Sequence, residues 1–135
     1  MNAVFLDTGY VLALELANDS NHRAASEHWA KVSGSLPRLV TTSFVFDEIV
    51  TFLNRRKRHE KAVEAGTRLL TSPTVQFVHV DELLFAEAWG FFQQHADKDY
   101  SLTDCISFVL MKRLGLQTAY SFDQHFVQAG FTKEP

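Results

Sequence analysis

Four short apolar runs, each followed by a polar break and a helical pattern, constrain this chain more than any other feature. Val4 to Leu6 ends at Asp7, Leu39 to Thr42 at Ser43, Val75 to Val80 at Asp81, and Gln117 to Tyr120 at Ser121. Apolar runs this short, bounded by turn and cap residues, read as buried strands. Between them the periodicity predicts helices over Tyr10 to Ala17, His22 to Val32, Ser43 to beyond Phe52, Glu60 to Leu70 and Asp81 to His95. A further helix opens at the capping pattern Ser101 to Asp104 and runs to Leu114, with Gly115 as its C-cap. Phe131 to Lys133 adds an edge strand. Strands that alternate with helices join in parallel, because each crossover returns the chain to the same end of the sheet, so the expected class is α/β.

At 135 residues, 46% hydrophobic and 21% charged, the chain has ordinary globular usage and the length of one domain, here taken as residues 1–135. The twelve Phe residues predict an aromatic-rich core. No apolar stretch approaches the roughly 20 residues that span a bilayer, so no membrane association is expected. The first residues carry no basic leader, and Cys105 has no second cysteine to pair with. Both point to a cytoplasmic protein.

Acidic residues stand at the positions where an open parallel sheet concentrates its chemistry. Asp7 and Asp123 follow strand ends, Asp104 lies in the first turn of a helix, and Glu48 has Phe44 and Phe52 four residues to either side. That spacing puts Glu48 on an apolar, inward-facing stripe, where an unpartnered carboxylate is costly. Gathered together, such carboxylates repel and hold either protons or a divalent cation. Each also has a plain local role, since Asp7, Asp104 and Asp123 can all cap helices. The residues alone leave both readings open.

Four segments decide between them: VFLDTGYVLAL, TTSFVFDEIVTFL, YSLTDCISFVLMKRLG and AYSFDQHFVQAGF. In sequence, order and separation they resemble the PIN-domain family, especially the VapC-type toxins of bacterial toxin-antitoxin pairs, over nearly the whole chain. The resemblance implies a three-layer α/β/α fold with a mostly parallel central sheet of four to five strands. It implies an endoribonuclease dependent on Mg2+ or Mn2+, with Asp7, Glu48, Asp104 and Asp123 as metal-binding and catalytic residues. A cognate antitoxin, an RNA substrate and a homodimer are implied with it. Thr8 and Ser121 are candidates to support the acids, and Asp99 is a weaker fifth carboxylate in a charged loop.

The net charge of −3 looks unfavourable for an RNA-binding protein, yet it becomes +1 once the four acids are set aside as metal ligands. Arg55, Arg56, Lys57, Arg58 and Lys61 form a basic run that can grip RNA phosphates or complement a helix end. The six His residues lack the i, i+4 pairing of a zinc helix and read as surface or satisfied histidines, His125 drawing notice only for its nearness to Asp123. Cys105 reads as a small packing residue, and Phe85, Trp89, Phe91 and Phe92 as core or dimer contacts ahead of base stacking. Two other classes compete with the nuclease. A phospho-acceptor domain also gathers acids around magnesium, but it wants a Lys where Ser121-Phe122-Asp123 stands. A non-catalytic RNA-binding module, or an RNA-processing nuclease of the same family, would share the fold.

Overall fold

The computed structural model describes residues 3–135. Five parallel strands form one sheet in the order β3-β2-β1-β4-β5: β1 Ala3–Leu6, β2 Arg38–Thr42, β3 Val75–Val78, β4 Thr118–Tyr120 and β5 Thr132–Glu134. The helices are α1 Thr8–Glu15, α2 His22–Val32, α3 Ser43–Arg55, α4 His59–Thr71, α5 Glu82–Gln94, α6 Leu102–Leu114 and α7 Gln124–Gln128. The chain steps outward from β1 to β3, then returns past β1 to β4 and β5. Right-handed crossovers therefore place α1 to α4 on one face and α5 to α7 on the other. The packing agrees, since α1 touches α2 and α3, α3 touches α4, α5 touches α6, and α6 touches α7. No described helix is long and apolar enough to cross a membrane.

Alternate residues fill the two interlayers. Phe5 and Val40 are fully buried on the sheet, Val45, Ile49 and Leu53 line the inner face of α3, and Phe108 and Phe126 pack edge to face with centroids 5.0 Å apart. Each fully buried side chain of this size contributes about 1.5–3 kcal/mol. Phe131 stacks on Phe108 at 5.8 Å, which realises the aromatic core that the Phe content predicts. Cys105 is buried beside them as a packing residue.

Boundaries shift where a side chain competes for a cap. Thr42 caps α3 by accepting the Val45 N–H at 3.1 Å, which leaves the Ser43 hydroxyl to accept the Val80 N–H at 2.9 Å. That bond draws the chain off the sheet edge, so β3 stops at Val78 short of the expected Val80. Helix α1 begins at Thr8, two residues early, with Asp7 at the N-cap position but without a side-chain capping bond.

Helices α3 and α4 approach closely at Gly66, where an added Cβ would lie 3.1 Å from Phe46 Cζ and 3.3 Å from Val50 Cγ1. Gly66→Val is expected to cost about 1–3 kcal/mol through overpacking. Gly90 of α5 has open space around it, so Gly90→Ala should stabilise by about 0.5–1 kcal/mol. Urea unfolding of both variants checks the pair, and a Gly66→Val protein as stable as wild type would contradict this packing.

Candidate metal centre

The order of the strands reverses between β1 and β4, and an open sheet leaves a crevice outside the carboxyl ends of the strands at such a point. Register brings Leu6 of β1 level with Tyr120 of β4, and the Asp7 N–H donates to Tyr120 O at 3.1 Å. Asp7 thus leaves β1 directly against the start of the loop after β4. The residue is only 8% exposed, and its carboxylate accepts the Ser121 hydroxyl at 2.8 Å. The same Ser121 oxygen accepts the Asp123 N–H at 2.9 Å. One buried hydroxyl therefore fixes both acids of the seam. Burial pushes the Asp7 carboxyl up to about 7, helped by the charges of Asp104 and Asp123 and opposed by the bonds from Ser121 and the Thr8 backbone.

Asp104 enters from α6. It closes the expected capping box: Ser101 Oγ accepts the Asp104 N–H at 2.9 Å, and Asp104 Oδ2 accepts the Ser101 N–H at 3.1 Å. The same Oδ2 lies 3.0 Å from His125 Nδ1. Burial raises the Asp104 carboxyl and the Asp123 charge adds to it, against the bonds from Ser101 and His125. Asp123 caps α7 by accepting the His125 N–H at 2.9 Å, with its Oδ1 3.4 Å from His125 Nδ1. Capping and membership of the acidic cluster are thus compatible in both residues.

Glu48 differs from expectation. The fully buried stripe of α3 is Val45, Ile49 and Leu53, while Glu48, Phe44 and Phe52 are half-buried at its margin. Phe44 reaches Phe85 of α5 at 6.2 Å, and Phe52 lies under the Arg56 guanidinium at 4.4 Å, so these apolar neighbours serve a border and not the interior. The margin faces the crevice. There Thr8 Oγ1 donates to Glu48 Oε1 at 2.6 Å, which sets the carboxylate's direction.

Asp7, Glu48, Asp104 and Asp123 all line one open cleft of about 450 Å3, together with Thr8, Gly9, Asp99, Ser101, Phe122 and His125. Asp99 is exposed, and no Lys or Arg is among these lining residues. The tightest set is Asp104, Asp123 and His125, whose donor atoms lie within 4.8 Å of one another; Asp7 and Glu48 stand outside it. His125 is the residue that the sequence undervalues. The sequence shows only its place two residues after an Asp that can bond its own i+2 N–H, and the pairing with Asp104 is not written there.

Arg55, Arg56, Lys57 and Arg58 are exposed at the end of α3, where Lys57 breaks the helix at φ 60°, and none lines the acidic cleft. Lys61 is 3.8 Å from Glu15. His28, by contrast with His125, is satisfied between Tyr10 Oη at 2.7 Å and Glu134 Oε1 at 3.0 Å. On α5, Phe91 packs against His95, Tyr100 and Phe108, but Phe85, Trp89 and Phe92 are exposed, which removes those three from the core.

Comparison with known proteins agrees with this architecture. The PIN domain family model matches residues 4–132. The 23S rRNA-specific endonuclease VapC20 of Mycobacterium tuberculosis, in strains CDC 1551 / Oshkosh and H37Rv, is 38% identical over 130 residues, which is 96% of either chain. The crystal structure of Mycobacterium tuberculosis VapC20, a sarcin-ricin loop cleaving toxin, superposes with a TM-score of 0.87 at 36% identity, covering 96% of both chains. FitAcB from Neisseria gonorrhoeae shares the fold with a TM-score of 0.66 at 15% identity, over 98% of this chain and 96% of that one. A family model over nearly all of the sequence and a relative of this similarity lead to one conclusion: the chain belongs to the PIN domain family.

Proposed function

We propose that this chain is a metal-dependent endoribonuclease, the toxin of a toxin-antitoxin pair, acting as a single cytoplasmic nuclease domain on RNA phosphodiester bonds. The observation that carries the reading is a cleft lined by five carboxylates and no Lys or Arg at the reversal of the sheet. Clustered carboxylates without counter-charge fit an all-oxygen divalent cation such as Mg2+ or Mn2+. Asp7, Glu48, Asp104 and Asp123 are the residues to hold it. VapC20 acts on 23S rRNA, so that RNA is the first substrate to test. A small antitoxin protein is the proposed partner. The exposed Phe85, Trp89 and Phe92, with Trp89 stacked on Phe92 at 5.5 Å, favour a homodimer through α5.

When bound, the cation supplies positive charge that polarises the scissile phosphate and lowers the pKa of an attacking water. The protein prepares its place. Ser121 occupies one oxygen of Asp7 and Thr8 one oxygen of Glu48, so both carboxylates are oriented before any ligand arrives. Ser101 and His125 do the same for Asp104. Asp7 carries much of its proton near pH 7, and would release it to solvent to ligate a cation. Asp99 at the exposed rim is a supporting carboxylate.

The raised Asp7 carboxyl fixes the sign of a stability effect. The folded, metal-free protein holds a proton on Asp7 up to about pH 7, whereas an unfolded Asp releases it near 3.8. Stability should therefore fall as pH rises from about 4 to 8, by up to about 4 kcal/mol from this group. Asp7→Asn should flatten that slope and melt higher than wild type at pH 8 in chelator. Melts of both proteins at pH 5 and 8 decide, and parallel pH profiles would reject the assignment.

Asp104→Asn keeps an oxygen for the Ser101 N–H but removes the charge. RNA cleavage should fall more than about a hundredfold and melting should hold or rise, since repulsion is relieved. Cleavage by the folded variant at the wild-type rate would exclude Asp104 from the site.

The basic run generates a separate test. If Arg55, Arg56, Lys57 and Arg58 bind RNA phosphates, replacing all four by Gln should lower the log-log salt slope of RNA binding by about 0.7 for each phosphate no longer neutralised. Metal affinity should stay unchanged. An unaltered slope in salt titrations would assign these residues to the helix end or to the antitoxin.

A further inference from the structure

His125 stands where a third donor to the cation would stand. Its Nδ1 is 3.0 Å from Asp104 Oδ2 and 3.4 Å from Asp123 Oδ1. An octahedral ion with bonds of about 2.1 Å holds adjacent donors about 3.0 Å apart and opposite donors about 4.2 Å apart. The two Nδ1 distances match adjacent edges of such a shell, and all three donors lie within the 4.8 Å span. Glu48 and Asp7, though in the same cleft, do not complete a set this tight.

The ring is also held in place from two sides. Its backbone N–H is bonded to Asp123 Oδ1 at 2.9 Å, and its ring packs edge to face with Tyr100, centroids 5.3 Å apart. The side chain is 25% exposed, so an ion arriving from the cleft reaches Nδ1 without displacing the core. A histidine that merely capped α7 would need only its N–H, with the ring free to point to solvent.

We propose that His125 Nδ1 is a direct ligand of the cation, which gives the centre a mixed nitrogen and oxygen donor set and a preference for Mn2+ over Mg2+. The inference rests on the metal-dependent reading above. Magnesium and manganese both suit carboxylates, but Mg2+ demands near-ideal oxygen geometry and gives up water reluctantly, so Mn2+ accepts an imidazole nitrogen in the shell more readily. In the metal-free protein Nδ1–H donates to the Asp104 carboxylate. Ligation through Nδ1 would use the tautomer whose proton is on Nε2, with the contact to the ion replacing the bond to Asp104.

Pulsed EPR on the full chain loaded with Mn2+ reads this directly. Wild type should show the hyperfine coupling of a directly bound 14N, and His125→Asn and His125→Gln should lack it. Calorimetry should show Mn2+ binding weakened about tenfold in these variants, with Mg2+ binding changed less than Mn2+ binding. Mn2+ bound at wild-type affinity without a nitrogen coupling would overturn the His125 assignment and leave the carboxylate centre standing. A wild-type protein that binds neither ion would overturn the metal-dependent reading, and this inference with it. Should either variant fail to fold, the nitrogen signal of wild type still decides.

Discussion

Ser121 Oγ donates to the Asp7 carboxylate across the seam between β1 and β4, and the arrangement of the cleft depends on that bond. Strand register alone would bring the two strand ends level, but it would not orient the carboxylate. The hydroxyl does so while accepting the Asp123 N–H, so the end of β1 and the loop after β4 are one hydrogen-bonded unit. Thr41 extends it sideways, donating to Leu6 O at 2.9 Å and tying β2 to the end of β1. A buried carboxylate with one hydroxyl partner is under-compensated, and its raised affinity for a proton expresses that deficit. Under the proposed function a cation would answer the same deficit in place of the proton.

The capping roles of Asp104 and Asp123 extend this logic. A carboxylate in the first turn of α6 is stabilised by the N-terminal end of the helix dipole, which offsets part of the repulsion from its neighbours. Because an N-cap or N3 carboxylate spends one oxygen on a backbone N–H, its other interactions are directional. Helix starts are therefore efficient supports for acidic sites, and local and functional explanations of such residues need not compete.

The sequence made the strand order of chemistry legible because parallel strands advertise themselves as short apolar runs and their carboxyl ends carry the polar residues. The placement of the four acids at strand and helix boundaries was legible there, but their joint role, with Thr8 and Ser121 beside them, came only from the family resemblance. Three points were hidden for physical reasons. The i±4 neighbours of Glu48 are apolar, yet Phe44 and Phe52 cover a margin between helices and not the interior, a distinction that needs the packing partner on α5 and the Arg56 guanidinium. The importance of His125 depends on a backbone turn at Asp123 and on Asp104 arriving from 21 residues away. Likewise the stripe of Phe85, Trp89 and Phe92 has core-like spacing but lies outside, since Leu84 and Ala88 take the inner face of α5.

Under the proposed function, helix α3 relates two parts of an RNA site with opposite charge. Glu48 projects from its second turn into the acidic cleft, and Arg55 stands seven residues further on, about 10 Å along the axis at 1.5 Å per residue. In that reading the cleft would repel phosphate until it holds a cation, while the basic end would attract phosphate whether or not the cation is present. A separation near one Debye length, about 8–10 Å at cellular salt, lets each field act locally without cancelling the other. RNA would thus be captured by the basic end independently of metal and positioned for cleavage only when the carboxylates are neutralised. Encounter and chemistry are then separate steps, and a rigid helix sets the distance between them.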